Sequence, residues 1–233
     1  MKLPLAPHAG QPGESPGALS AAPEAPGEER DAAALAALAR AFAERLDRLP
    51  EDLDASWHEA SRTASLVAGL PPGEARRRVM LRLFERWCGP LPALPALATP
   101  AGRLGLLERG PLLTRLCALA LLGRPGALRC CVERRTRQAL QQALGPVFEA
   151  LNDASQGGVP VAPAVAQWSP LEWACAGYAD LAQARAWPQR SLRRLARLAL
   201  PTKWPIPRGA AALPPVQLSA PLALRRLDSL FAG

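Results

Sequence analysis

Proline governs what this chain can fold into. The 233 residues carry 26 prolines, and many stand at particular places. Thr99-Pro100, Gly110-Pro111, Arg124-Pro125, Gly145-Pro146, Ser169-Pro170 and Trp187-Pro188 each precede a run rich in Leu, Ala and Arg. Proline breaks a helix interior, but at the first helical position its missing N–H has no intrahelical partner anyway. Thr99 and Ser169 are natural N-caps directly ahead of it. Gly110, Gly123 and Gly145 are placed to end the preceding helices in left-handed conformation. Ala, Leu and Arg are good helix formers. Strand formers are scarce: one Tyr, one Ile (Ile206) and few Val. The chain reads as all-α, with about eight to ten helices, in one compact body or two lobes.

Apolar spacing places the helices. Leu35, Leu38, Phe42, Leu46 and Leu49 form one stripe, which predicts a helix over about 31–49, with Arg40, Glu44, Arg45 and Arg48 off the stripe. A second helix begins near Asp52 or Asp54, with Asp as cap, and runs to Gly69. A third spans about 74–87, with Val79, Met80, Leu83, Phe84 and Trp87 on its apolar face. Gly89-Pro90-Leu91-Pro92-Ala93-Leu94-Pro95 is expected to be non-helical. Further helices are expected near 100–109, 111–122, 125–144, 146–152, 170–186, 188–200 and 220–231, with loops over 153–168 and 201–218. Residues 1–30 are rich in Pro, Gly, Ala, Ser and Glu, with almost nothing apolar to bury after Leu5. The expected organisation is a disordered tail over 1–30, an N-terminal helical lobe over 31–88, a Pro-rich linker over 89–98 and a basic helical lobe over 99–233. No repeat of fixed period is visible.

Charge follows that division. The formal net charge is +8, with residues 1–30 at −2, 31–100 at zero and 101–233 at +10. The only lysines are Lys2 and Lys203. A basic half of this kind can meet an acidic protein, nucleic acid or an anionic membrane surface. The opening MKLPLAPHAG does not read as a secretory leader, since Pro4 and Pro7 interrupt it. The longest apolar run, Leu116 to Gly123, is far short of the ~20 residues a membrane span needs. The five cysteines show no CxxC spacing and are expected as buried free thiols in a reducing compartment.

Reactive chemistry finds few candidates. His8 lies in the tail, and His58 is the only other histidine. No phosphate-binding glycine loop and no metal-ligand spacing occur. No catalytic residue, cofactor or metal is therefore expected. In Cys130-Cys131, neighbours on a helix point about 100° apart, which leaves room for one buried and one partly exposed thiol, while the pair reads foremost as two small apolar fillers. The arginine clusters are the strongest feature outside the core. Arg76-Arg77-Arg78, Arg134-Arg135 with Arg137, and Arg193-Arg194 with Arg197 all fall on predicted helices. Guanidinium pairs suit bidentate binding of carboxylates or phosphates. Arg134, Arg135, Arg137, Arg193, Arg194 and Arg197 are the candidate partner contacts. Without interleaved aromatics or a recognisable module, nucleic acid is not the expected partner. Of the six tryptophans, Trp57, Trp87 and Trp173 fit helix faces, and Trp168, Trp187 and Trp204 fit loop staples beside prolines.

Two stretches carry a family likeness. Residues 37–57, ALARAFAERLDRLPEDLDASW, give an amphipathic helix, a short loop and a Trp-bearing segment. Residues 99–151 give Arg-Leu-x-Leu-Leu, a Leu-rich helix ending in Leu-Gly, a turn, then Leu-Arg-x-x-Val-x-Arg and a later Leu-Gly. Over roughly 35–200 the chain resembles the K component of type III secretion systems, in its plant-pathogen Hrp branch. The resemblance implies an all-α adaptor without enzymatic activity, at the cytoplasmic face of the bacterial inner membrane. Its implied partners are the ring protein's cytoplasmic domain and the pod protein, and through them the export ATPase complex. The rival readings are a helical nucleic-acid-associated regulator and an effector or chaperone-like protein of the same system.

Overall fold

The computed structural model describes residues 26–61, 66–67, 69–154, 157–205 and 213–232. The expected disordered tail falls outside these residues as far as 25, and the expected irregular stretch over 201–218 does so over 206–212. Every regular element among the described residues is helical. Fourteen helices lie among the described residues, more than the eight to ten expected, because short pieces fill predicted loops and one predicted helix is split in two.

The first group is α1 (Pro26–Asp47), α2 (Leu49–Asp52), α3 (Ala55–Ala60) and α4 (Glu74–Trp87). α1 begins at Pro26 rather than near Asp31. Its stripe sinks into the protein toward the C-terminal end, from half-buried Leu35 to buried Leu46. Asp54 caps α3 as expected, accepting the Ser56 N–H at 3.1 Å. On α4, Met80, Leu83 and Phe84 are buried, whereas Val79 is exposed. Phe84 meets Phe42 of α1 edge-on, with ring centroids 5.4 Å apart.

The proline-rich segment is not helix-free. α5 (Leu94–Ala98) forms with Pro95 in its first turn, where no hydrogen bond is lost, and Leu97 is buried. α6 (Pro100–Gly105) follows, with Thr99 Oγ1 accepting the Gly102 N–H at 3.0 Å. α7 (Arg109–Leu122) starts two residues before Pro111. Pro111 is tolerated there because it still lies among the first N–H groups, which have no intrahelical acceptor. Gly110 is thus inside a helix, and Gly123 ends α7 with φ −69° rather than left-handed. Of the three glycines expected to do so, Gly145 alone has positive φ.

The predicted helix over 125–144 is broken. α8 (Ala127–Cys130) stops at Cys131, which has φ −76° and ψ 73° while Val132 N–H bonds to Cys130 O at 2.9 Å. This is an inverse γ-turn. α9 (Arg134–Leu144), α10 (Val147–Ala154), the one-turn α11 (Pro163–Ala166), α12 (Pro170–Gln183), α13 (Arg190–Leu198) and α14 (Ala220–Leu230) complete the chain. Ser169 and Glu172 form a reciprocal capping box at the start of α12. Pro188 lies outside α13, whose cap position is Gln189.

α7 is the central helix, buried on nearly every side from Leu116 to Leu122. α12 lies along it, and α9, α10 and α14 pack on it as well. α12 and α7 come close enough at Gly177 that a Cβ there would sit 2.0 Å from the Leu116 carbonyl oxygen. The main core gathers around this pair. A second apolar cluster joins Leu46, Leu49, Leu53, Met80 and Phe84 to Leu195 and Leu198 of α13, while Leu192 of the same helix enters the main core. Among the described residues, no helix is long and apolar enough to cross a membrane.

Candidate interaction surfaces

The arginine clusters meet different fates. On α4, Arg76 reaches the Asp47 carbonyl at 2.9 Å and the Glu51 carboxylate, Arg77 reaches Asp47 Oδ2 at 3.1 Å, and Arg78 pairs with Glu74 one turn away. Arg76 and Arg77 thereby tie α4 to the end of α1 and to α2. Arg134 and Arg135 open α9 and are exposed, and neither forms an ion pair with a described residue. Arg137, one turn on, lies over the Phe148 ring at 5.1 Å and donates to Asn152 Oδ1 at 3.3 Å. Arg193 and Arg194 are half-buried on α13, and the Arg193 carbonyl accepts the Tyr178 hydroxyl at 3.2 Å.

Arg197 turns inward. Its guanidinium lies between the rings of Trp57 and Trp204, at 5.6 and 5.1 Å, and donates to the carbonyls of Leu200 and Thr202 at 3.0 and 3.1 Å. Burial lowers its pKa, and the nearby Tyr178, Cys175 and Asp54 oppose that shift. Of the six candidate contacts, Arg134 and Arg135 are therefore neighbours with outward charge, while Arg197 fastens the segment after α13.

Sequence reasoning missed a buried ionic junction. Arg45, placed off the apolar stripe of α1, is 3% exposed and pairs with Asp52. Burial lowers its pKa, and Asp52 and Glu108 oppose that. Asp52 Oδ1 also accepts the Arg109 N–H at 2.9 Å, so it satisfies the first amide of α7, where Glu108 makes no side-chain cap. The Arg109 side chain bonds Asp54 Oδ2 at 2.7 Å and the Ala199 carbonyl at 3.2 Å. Asp54 N–H donates to the Leu198 carbonyl at 3.0 Å, and Trp57 Nε1 donates to the Leu200 carbonyl at 2.9 Å. A second buried pair, Arg124 with Asp180 at 2.6 and 2.8 Å, joins the end of α7 to α12. The signal in the sequence was the spacing of Asp52 and Asp54, readable as caps but not as ion partners.

The nucleophile candidates are poorly placed for chemistry. Desolvation pushes the thiols of Cys88, Cys117 and Cys175 up to about 12, and that of Cys131 to about 11. These thiols are neutral at physiological pH, and the thiolate is the reactive form. Cys131 is buried and Cys130 half-buried, although a turn rather than a continuous helix separates their directions. His58 is half-buried on α3. No group of three or more potential metal ligands occurs among the described residues. The loop-staple reading of Trp168 and Trp187 fits their burial, at 5% and 8% exposure, while Trp57 and Trp87 are only half-buried.

The model of one protein family, described as bacterial type III secretion protein (HrpB4), matches residues 26–232. No curated protein and no solved structure matches the chain. The match runs from the first residue of α1 to past the end of α14, so it includes both apolar clusters and the junction between them. With nearly the whole chain covered, this protein belongs to the HrpB4 family of bacterial type III secretion proteins.

Proposed function

We propose that this protein is a non-enzymatic adaptor of the secretion apparatus. It joins the cytoplasmic domain of the inner-membrane ring to the pod protein beneath it and, through that protein, to the export ATPase complex. It works in the bacterial cytoplasm, peripheral to the inner membrane, and uses no cofactor. The family assignment supplies the apparatus, and the resemblance over 35–200 to the K component supplies the place within it.

One observation carries the binding mode. Arg76, Arg77, Arg78, Arg82, Arg103, Arg109 and Arg124 each hold a carboxylate of their own chain. The exposed Arg134 and Arg135 hold none among the described residues, and both sit at a helix N-terminus, where cations are disfavoured by the helix dipole. Charge left outward at an unfavourable place suits the carboxylates of another subunit. Val132, 88% exposed beside them, supplies an apolar anchor. Arg193 and Arg194 of the same basic half form the second contact region.

The test uses the purified chain with the ring protein's cytoplasmic domain and with the pod protein. Replacing Arg134 and Arg135 together by Glu is expected to weaken binding about tenfold and flatten its salt dependence, with circular dichroism unchanged. Unchanged affinity and salt slope would remove these arginines from the interface. Failure of the wild-type chain to bind either protein would overturn the adaptor role, and tight, steeply salt-dependent binding to DNA would favour a regulator instead.

A further inference from the structure

α12 ends against the preference of its own sequence. Arg185 N–H bonds to the Ala182 carbonyl at 3.2 Å and Ala186 N–H to the Leu181 carbonyl at 3.0 Å. These are the paired bonds of a Schellman motif, whose left-handed position is usually glycine. Here that position is Arg185, with φ 53°, alone among the described non-glycine residues in having positive φ. A β-carbon makes that conformation costly, which glycine would avoid. A cation near a helix C-terminus is favourable. An arginine at Ala182 or Gln183 would give the same benefit without strain. The conformation is explained if a guanidinium is needed at this point in space.

Arg185 lines a hollow of about 400 Å³ between the end of α12 and the starts of α6 and α14. Pro100, Ala186, Pro188 and Leu224 give it apolar lining, and Arg225 of α14 lines it as well. No carboxylate lines it. Both arginines are exposed, and neither guanidinium makes an ion pair or hydrogen bond with a described residue. Apolar surface flanked by two unpaired cations is complementary to a chain that alternates carboxylates with apolar side chains.

We propose that this hollow docks a segment of a partner protein in which acidic residues alternate with apolar ones, its carboxylates held by Arg185 and Arg225 and its apolar side chains against the apolar lining. The site uses residues other than Arg134 and Arg135 and does not depend on the adaptor role.

The test uses three fluorescein-labelled peptides with the full-length chain, read by anisotropy. One alternates Glu and Asp with Leu and Ala, the second replaces its acids by Lys, and the third replaces its Leu by Ser. The first is expected to bind, more tightly at low salt, and the other two are not. Arg185→Gly and Arg225→Gln are each expected to weaken binding about fivefold. Arg185→Gly should do so with an unchanged or raised melting temperature, since it relieves the backbone. Absence of binding by the acidic peptide would overturn the proposal, as would binding by both variants as tight as that of the wild-type chain. Concentration-dependent self-association of the wild-type chain that Arg185→Gly abolishes would overturn it in favour of a second copy as occupant. Because the probes contain no secretion component, these results stand apart from the outcome with the ring and pod proteins.

Discussion

Asp54 shows how one side chain can serve two segments. Burial pushes its pKa up, but the hydrogen bonds from Ser56 and the Arg109 guanidinium outweigh this and hold it below the usual carboxylate range. An unfolded Asp titrates near ~3.9. The stabilisation by the lowered group is therefore fully present above that value and is lost as pH falls through the folded value. Urea denaturation should find wild type more stable than Asp54→Asn at pH ~6, with the difference shrinking as the pH falls below ~4. A constant difference at all pH values would mean that the charge of Asp54 contributes nothing. The cap at Asp54 is legible in the sequence, because Asp before a helical run is a local pattern. Its pairing with Arg109, 55 residues on, is not. The same reason hides the role of Arg197: its fastening partners include Trp57, which no periodicity links to α13.

Among the elements, the α7–α12 pair depends on close approach. A methyl at Gly177 would fall 2.0 Å from the Leu116 carbonyl oxygen, which belongs to rigid helix backbone. Gly177→Ala gains helix propensity but must push the helices apart, and overpacking of this kind costs about 1–3 kcal/mol. A melting curve should show the loss, and an unchanged or raised midpoint would mean that the helices separate freely. Sequence located both helices to within a few residues, since Ser169-Pro170 and Gly110-Pro111 ahead of Leu-rich runs are strong local markers. It did not locate the break after α8. Helix formers dominate residues 127–144, with Cys130-Cys131-Val132 the weak stretch among them, and packing sets the turn at Cys131: Cys131 and Leu128 enter the main core while Val132 faces outward. Prolines mark where helices can start, but Gln189 rather than Pro188 opens α13, because backbone geometry ahead of the helix is set by contacts that the sequence does not display.

At the scale of the whole molecule, Asp52 holds together parts that are far apart in the chain. It neutralises a guanidinium whose side chain is 1% exposed and takes the first amide of the central helix. Removing one partner of a buried pair costs about 3–5 kcal/mol, whereas replacing both by apolar groups is often near neutral. Asp52→Ala should lower the unfolding free energy by about 3 kcal/mol, and combining Arg45→Met with Asp52→Leu should recover much of it. Equal losses in the two variants would show that the Arg109 amide, rather than the Arg45 charge, is what matters. The all-helical class was legible from composition and proline placement, while this long-range wiring was not, since ion pairs across tens of residues leave no periodic trace. The placement of Leu195 and Leu198 in the cluster of Leu46, Met80 and Phe84 bears on how the protein is born. The opening helices leave the ribosome with one wall absent, and that wall is synthesised on the order of a hundred residues later, about 5–20 s at ordinary elongation rates. For that interval the nascent chain shows Phe84 and Met80 to the cell, so its yield in vivo should rest on how well chaperones shelter it until α13 arrives.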